Sequence, residues 1–288
     1  MMSNDSTIHD DQEPNALICT STARTDVGMV RQHNEDACMA RPDLGLWAVA
    51  DGMGGHAAGD IASGMIIERL SGLSLEPRLG HAVDEIETIL EDVNSALRAL
   101  AITREASTIG STVVSLLIRG AHAVCLWAGD SRIYRVRDGQ LEQLTQDHAL
   151  VADLVDRGVL TAAQAANHPQ SNLVTRAVGA ADALKLDVEI VAISAGDQFI
   201  LCSDGLDKEL SDQEIRDAVI NHRPNEIADA LVELALARGS RDNVTVVAVT
   251  VRSNDGEATE LGAPLALQPT DSEETVPGFT VGANRTGG

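Results

Sequence analysis

Apolar residues recur along this chain in two rhythms. Short runs rich in Val, Ile, Leu and Ala at about 16–23, 45–50, 111–118, 122–128, 132–137, 186–193, 197–203 and 243–251 predict strands, the last of them (NVTVVAVTV) rich in alternation. Apolar positions three and four apart predict helices at about 57–71, 81–103, 148–157, 211–221 and 224–238. Two starts carry reciprocal capping chemistry, Ser211 with Glu214 and Thr161 with Gln164, and Gly239 stands where a helix terminator belongs. Many strands with helices inserted in groups favour a layered α+β fold over a strictly alternating parallel one.

The ends break both rhythms. Residues 1–15 are polar, and the stretch 253–288 is acidic and aperiodic with Gly, Thr and Pro, so both are expected to be disordered around one domain at 16–252. Aromatics are only 2% of the chain, so the core has to be built from Val, Ala, Leu and Ile. A net charge of −23 repels nucleic acid and anionic membrane alike, so any phosphate group has to be held locally. Four cysteines, Cys19, Cys38, Cys125 and Cys202, stand singly in apolar runs without a CxxC pair, which disfavours disulfides and zinc. There is no basic region with an apolar stretch at the amino terminus and no run long enough to span a bilayer, so a cytoplasmic protein is expected.

Acidic residues at the edges of the apolar runs are the candidate chemistry. LWAVADGMGG leads into a glycine-rich stretch at Asp51, and FILCSDGL does the same at Asp204. Glu35 and Asp36 in RQHNEDA, Asp130 in WAGDSRIY and Asp242 in GSRDNVTVV extend the set, whereas Asp138-Gly139 reads as an ordinary hairpin turn. Carboxylates at strand ends can be aimed inward by a rigid scaffold. Gathered together they repel, and hard cations with oxygen ligands, Mg²⁺ or Mn²⁺, stabilise such a cluster. The glycines after Asp51 also match a dinucleotide-binding fingerprint, but Asp51 would face a pyrophosphate with like charge, and no second strand follows helix 57–71.

In order, Arg31 with Asn34-Glu35-Asp36, Asp51-Gly52-Met53-Gly54-Gly55, Gly129-Asp130-Ser131-Arg132, Ser203-Asp204-Gly205 and Arg241-Asp242-Asn243 resemble the motifs of the PP2C (PPM) family of metal-dependent serine/threonine phosphatases, bacterial type, over about Thr25 to Val249. The resemblance implies a four-layer α-β-β-α sandwich, two central mostly antiparallel sheets flanked by helix pairs, with metals at one end. It implies hydrolysis of phosphoserine and phosphothreonine by a metal-activated water at a binuclear Mn²⁺ or Mg²⁺ centre. In it Asp51 bridges the pair, Gly52 offers a backbone carbonyl, Asp204 and Asp242 bind the second ion, and Asp130 holds a third, weaker one. Glu35 and Asp36 would hold metal-bound waters, and Arg31 would bind the substrate phosphate.

Met53 stands where animal members carry a histidine, so His56 is the nearest candidate proton donor, although a helix-start or surface position accounts for it equally well. Leu206-Asp207-Lys208 stands where an aromatic is frequent in relatives. The segment at about 148–179 resembles the flap beside the metal site of bacterial members. The implied partners are phosphorylated proteins, with Hanks-type kinases and forkhead-associated proteins among them, and the chain is expected to be a monomer. A noncatalytic binding module is the competing reading, and loss of ligand residues would mark it; none is lost here.

Overall fold

The structure, a computed structural model, describes residues 17–54, 58–165, 168–170 and 173–254. The chain divides into two units, Met1–Asp255 and Gly256–Gly288, and the described residues belong to the first. The segments 1–15 and 255–288, for which disorder is expected from composition, and His56 lie outside the described residues.

Strand β1 (Leu17–Asp26) is followed by β2 (Asp36–Arg41), a short turn at Pro42–Leu44 and β3 (Leu46–Gly54). Two helices follow, α1 (Gly59–Ser71) and α2 (Leu79–Thr103). Then come β4 (Ile109–Ser111), β5 (Val113–Arg119), β6 (His122–Ala128), β7 (Arg132–Arg137) and β8 (Gln140–Gln143). The segment expected to form a flap holds the short helices α3 (Leu150–Asp156) and α4 (Ala162–Ala165). Strands β9 (Asp187–Ala192) and β10 (Gln198–Cys202) lead into α5 (Asp204–Asp207), α6 (Asp212–Asn221), α7 (Ile227–Ala237) and β11 (Val244–Ser253).

Among these residues the strands form two sheets, one ordered β1-β11-β10-β7-β8 and the other β2-β3-β5-β6-β9 with β4 added beside β3. Every pairing of these strands is antiparallel. Alternation decides the layers, because successive side chains point to opposite faces. On β3, Leu46, Ala48 and Ala50 pack with α1 and α2, whereas Trp47 and Val49 pack between the sheets against Phe199, Leu201, Val247 and Val249. On the other side Ile200, Val246 and Ala248 pack with α6 and α7. Both faces of each central strand are thus buried, which is why their sequences read as nearly continuous apolar runs. The α-β-β-α layering expected from the resemblance is the one observed.

The helices dock through spaced small and aliphatic residues. α2 buries Ala82, Ile86, Leu90, Val93, Leu97 and Ala101, a stripe at intervals of three and four. The expected capping box at Ser211 is formed in full, with the Glu214 N–H donating to the Ser211 hydroxyl and the Ser211 N–H donating to the Glu214 carboxylate. The Thr161–Gln164 pair makes the same reciprocal bonds. Asp138 and Gly139, at φ 51° and 72°, close the β7–β8 hairpin as their sequence predicts. No helix among the described residues is long and apolar enough to cross a membrane.

Candidate active site

The layer between the sheets is apolar for most of its length and turns polar at one end. Asp36 lies directly opposite Asp51 in the β2–β3 pairing, so their side chains share a face. That face carries Cys38, Trp47 and Val49 in the inter-sheet core. Ser203 and Thr245, just past the core residues Leu201 and Val247 on their own strands, meet them from the other sheet: each hydroxyl donates to Asp36 Oδ2 at 2.7 Å. Asp36 is therefore buried and ties the two sheets together. Burial pushes its carboxyl up to about 7 against the opposing pull of these two hydroxyls.

Asp51 is positioned differently from the sequence expectation. The apolar run predicts that β3 ends near residue 50 in a glycine-rich turn, but the strand continues through Asp51, because Gly52, Met53 and Gly54 pair with Ser111, Gly110 and Ile109 of β4. The single strand expected at 111–118 is correspondingly split at Thr112, whose hydroxyl accepts the Asp51 N–H at 3.1 Å while Ser111 Oγ and the Thr112 N–H donate to the Asp51 carbonyl. Gly52 is required by a close approach: a Cβ there would lie 2.0 Å from the Gly59 carbonyl oxygen and 2.6 Å from that of Glu35. The Gly52 N–H donates to the Glu35 carbonyl at 3.0 Å, and Glu35 Oε1 takes the Gly59 N–H at 3.3 Å.

Asp204 opens α5 directly after β10 and Ser203, and Asp242 precedes β11. Asn243 locks this corner: it accepts the Glu35 N–H through Oδ1 and donates through Nδ2 to the Val27 and His33 carbonyls at 2.9 and 3.0 Å. The loop carrying Arg31 is thereby fastened to the start of β11, and Arg31 lies on Asp242 with Nε and Nη2 each 2.9 Å from a carboxylate oxygen. Lys208, four residues after Asp204, donates from Nζ to Asp204 Oδ2 and lies 3.9 Å from Asp242 Oδ2.

Asp130 is buried at the head of β7 beside Gly129, where φ of 122° and a prospective Cβ 2.5 Å from Thr112 Cβ both exclude other residues. Burial, then the charge of Asp204, pushes Asp130 up to about 7. Asp51 is held well above the usual carboxylate range, first by burial and then by the charges of Asp36, Asp204, Asp130 and Asp242. The expected acidic residues are therefore close enough to feel one another. They are not drawn into a tight cage: among the described residues no three Asp, Glu, His or Cys side chains converge as a finished cation site. Arg31 and Lys208 engage Asp242 and Asp204 instead.

The donor set suits a hard cation on two counts. Asp36 Oδ1 and Asp204 Oδ1 are buried without a hydrogen-bond partner. Every candidate ligand offers oxygen.

Near Asp130 lies a half-buried charged group that the sequence motifs leave without a role. Arg132 Nε and Nη2 fork onto Asp147 at 2.9 and 2.7 Å, while Nη1 reaches Tyr134 Oη at 2.9 Å and Asp207 Oδ2 at 3.1 Å. The 148–179 segment is pinned at both ends nearby. His148 Nδ1 accepts the Gly129 N–H, leaving its Nε2 proton for Asp187 Oδ2 at 3.1 Å, and Arg176 joins the same carboxylate at 2.7 Å. Val178 bonds in both directions with Ser111, next to the Asp51 anchor. The signal for Lys208 was its i,i+4 spacing from Asp204, readable only if a helical turn at 204–207 is foreseen.

The four-layer sandwich thus brings carboxylates from both sheets to one end of its inter-sheet layer. The chain belongs to the protein phosphatase 2C family, whose model matches residues 28–234. It is 36% identical over 267 residues to the serine/threonine protein phosphatase PstP of Mycobacterium tuberculosis, an alignment covering 92% of this chain but 51% of that protein. It is 35% identical over 235 residues to the serine/threonine phosphatase stp of Listeria welshimeri, covering 78% of this chain and 93% of that one. Among solved structures, PppA, described as a key regulatory component of T6SS in Pseudomonas aeruginosa, is 43% identical with a TM-score of 0.78, covering 83% of this chain and all of that one. The catalytic domain of PstP in complex with two manganese ions is 36% identical with a TM-score of 0.75, covering 82% of this chain and all of that domain.

Proposed function

We propose that this chain is a metal-dependent phosphoprotein phosphatase that hydrolyses phosphoserine and phosphothreonine. The observation that carries the reading is the set of strand-held carboxylates at the end of the inter-sheet layer, with Asp36 and Asp204 each keeping one buried oxygen unpartnered. Asp51, the Gly52 carbonyl, Asp204 and Asp242 would hold two Mn²⁺ or Mg²⁺ ions, and Asp130 a third, weaker one. When bound, these ions supply an acidified water for in-line attack on phosphorus and offset charge on the phosphoryl oxygens. Glu35 and Asp36 orient the ligand set: Glu35 through Gly52 and Gly59, Asp36 through the two hydroxyls that fix it. Substrates are phosphorylated proteins, with a bacterial Ser/Thr kinase and forkhead-associated proteins as candidates, selected at segment 148–179.

The decisive experiment is hydrolysis of a phosphothreonine peptide by ion-stripped protein. Turnover is expected only after Mn²⁺ or Mg²⁺ is added and is abolished by EDTA. Cation binding with no turnover on any phosphopeptide would favour a noncatalytic binding module instead.

Arg31 takes the phosphate. A guanidinium that grips a carboxylate with two parallel bonds can grip two phosphate oxygens in the same way. Arg31→Ala is expected to lower kcat/KM on the phosphopeptide by about tenfold or more, equivalent to roughly 1.4 kcal/mol of transition-state stabilisation. The loss falls on KM alone if the grip is equal in ground and transition states. An unchanged kcat/KM would remove Arg31 from this role.

A further inference from the structure

Of the 21 basic residues in the chain only two, Lys185 and Lys208, are lysine. One of these two stands in the acidic centre. Lys208 follows the single turn of α5, and its Nζ donates to Asp204 and lies 3.9 Å from Asp242 Oδ2, so one ammonium faces both carboxylates. Its side chain is 33% accessible, against 15% for that of Asp204, so the stem reaches inward from a position open to solvent. Asp242 is shared: Arg31 forks onto both its oxygens at 2.9 Å, and Lys208 Nζ lies 3.9 Å from Oδ2. Arg31 forks onto its partner in a rigid planar geometry, whereas a lysine is a compact charge on four flexible carbons.

We propose that Lys208 is a built-in counterion that competes with divalent cations for Asp204 and Asp242, and that it swings outward when a cation binds. Its competition raises the cation concentration at which the centre fills. The inference rests on the reading of Asp204 and Asp242 as cation ligands. A divalent ion outbids a single ammonium in Coulomb attraction, but Mg²⁺ and Mn²⁺ give up waters reluctantly, so an ion pair that must first be opened weighs measurably on affinity. The same pair offsets repulsion among the carboxylates before a cation arrives. The centre is therefore held together in either condition, at the expense of cation affinity.

The test uses the full chain, stripped of metal, and two measurements. In the first, Mn²⁺ binding to wild type and Lys208→Met is followed by calorimetry and by the paramagnetic resonance signal of free Mn²⁺. Removing a competing, partly buried ion pair is expected to tighten Mn²⁺ binding by roughly tenfold. The ion-free variant should also melt below wild type and gain more in Tm from Mn²⁺.

The second measurement needs no variant. Lys208 is acetylated in wild type with and without Mn²⁺ and quantified by mass spectrometry against exposed Lys185. Labelling of Lys208 is expected to rise several-fold with Mn²⁺ as its side chain is released. If wild type binds Mn²⁺ but Lys208 labelling does not rise, or the variant binds with unchanged affinity, the inference is overturned. Failure of Mn²⁺ to bind either protein would instead overturn the assignment of Asp204 and Asp242 as ligands, and this inference with it.

Discussion

Asp51→Asn is expected to abolish nearly all cation-dependent turnover while leaving the ion-free fold intact or slightly more stable. The two halves of this result have one cause. Burial opposes the ionisation of Asp51, and the charges of Asp36, Asp204, Asp130 and Asp242 add to it. Without cations that charge is a burden, so a neutral isostere relieves repulsion, and the backbone bonds to Thr112 and Ser111 that hold residue 51 remain. In the proposed role of a ligand shared by two cations, the Asn variant would lose the charge that attracts both, so both would bind more weakly. Steady-state kinetics with Mn²⁺, paired with thermal melts in EDTA, reads both. A variant that keeps more than about a tenth of wild-type kcat would have lost under 1.4 kcal/mol in barrier, too little for a bridging ligand.

Arg132→Met is expected to destabilise the protein by about 2 kcal/mol, because removing the cation of a partly buried network leaves Asp147, and Asp207 where it is ionised, without a countercharge. Arg132 is the only cation bonded to both Asp147 and Asp207 among the described residues, and the accessibility of these two side chains is 17% and 10%. The loss should grow with pH. Burial lifts Asp207 to about 8 even though Arg132 pulls it down, so the folded protein binds its proton more tightly than the unfolded chain does. A group whose folded pKa is raised favours the native state at low pH and loses that contribution as pH climbs through the folded value. Without Arg132 the protonated Asp207 at pH 6 should be tolerated better than the ionised one at pH 9. Urea unfolding midpoints at the two pH values measure this. A penalty under about 1 kcal/mol at both would mean that the network is not a stability element.

Legibility from sequence followed burial symmetry. Strands buried on both faces, such as β5, β6 and β11, declare themselves by unbroken Val, Leu, Ile and Ala. Strand β2, DACMAR, passes unnoticed because it begins on the polar end of the inter-sheet layer, and the exposed edge strand β8, QLEQ, is betrayed only by the Asp138-Gly139 turn before it. The glycines after Asp51 read as a turn because a strand interior seldom carries them, and only the distant β4 makes them part of a sheet. At the site, the strand-edge positions of Asp204 and Asp242 are visible in the sequence. What fixes them is not: Asp36 meets its hydroxyl partners across separations of 167 and 209 residues, and no local pattern encodes such pairs.

Asn243 brings the loop that carries Arg31 and the aspartate before β11 into a single solid piece. Four of its side-chain and neighbouring backbone contacts reach Val27, His33, Glu35 and Asp242. The loop that presents the guanidinium is consequently registered against the start of β11, so the span between Arg31 and Asp242 is set when the chain folds rather than when a ligand arrives. Shape change on binding has to be absorbed elsewhere, and the two carbonyls and one amide that Asn243 satisfies leave this corner no hinge.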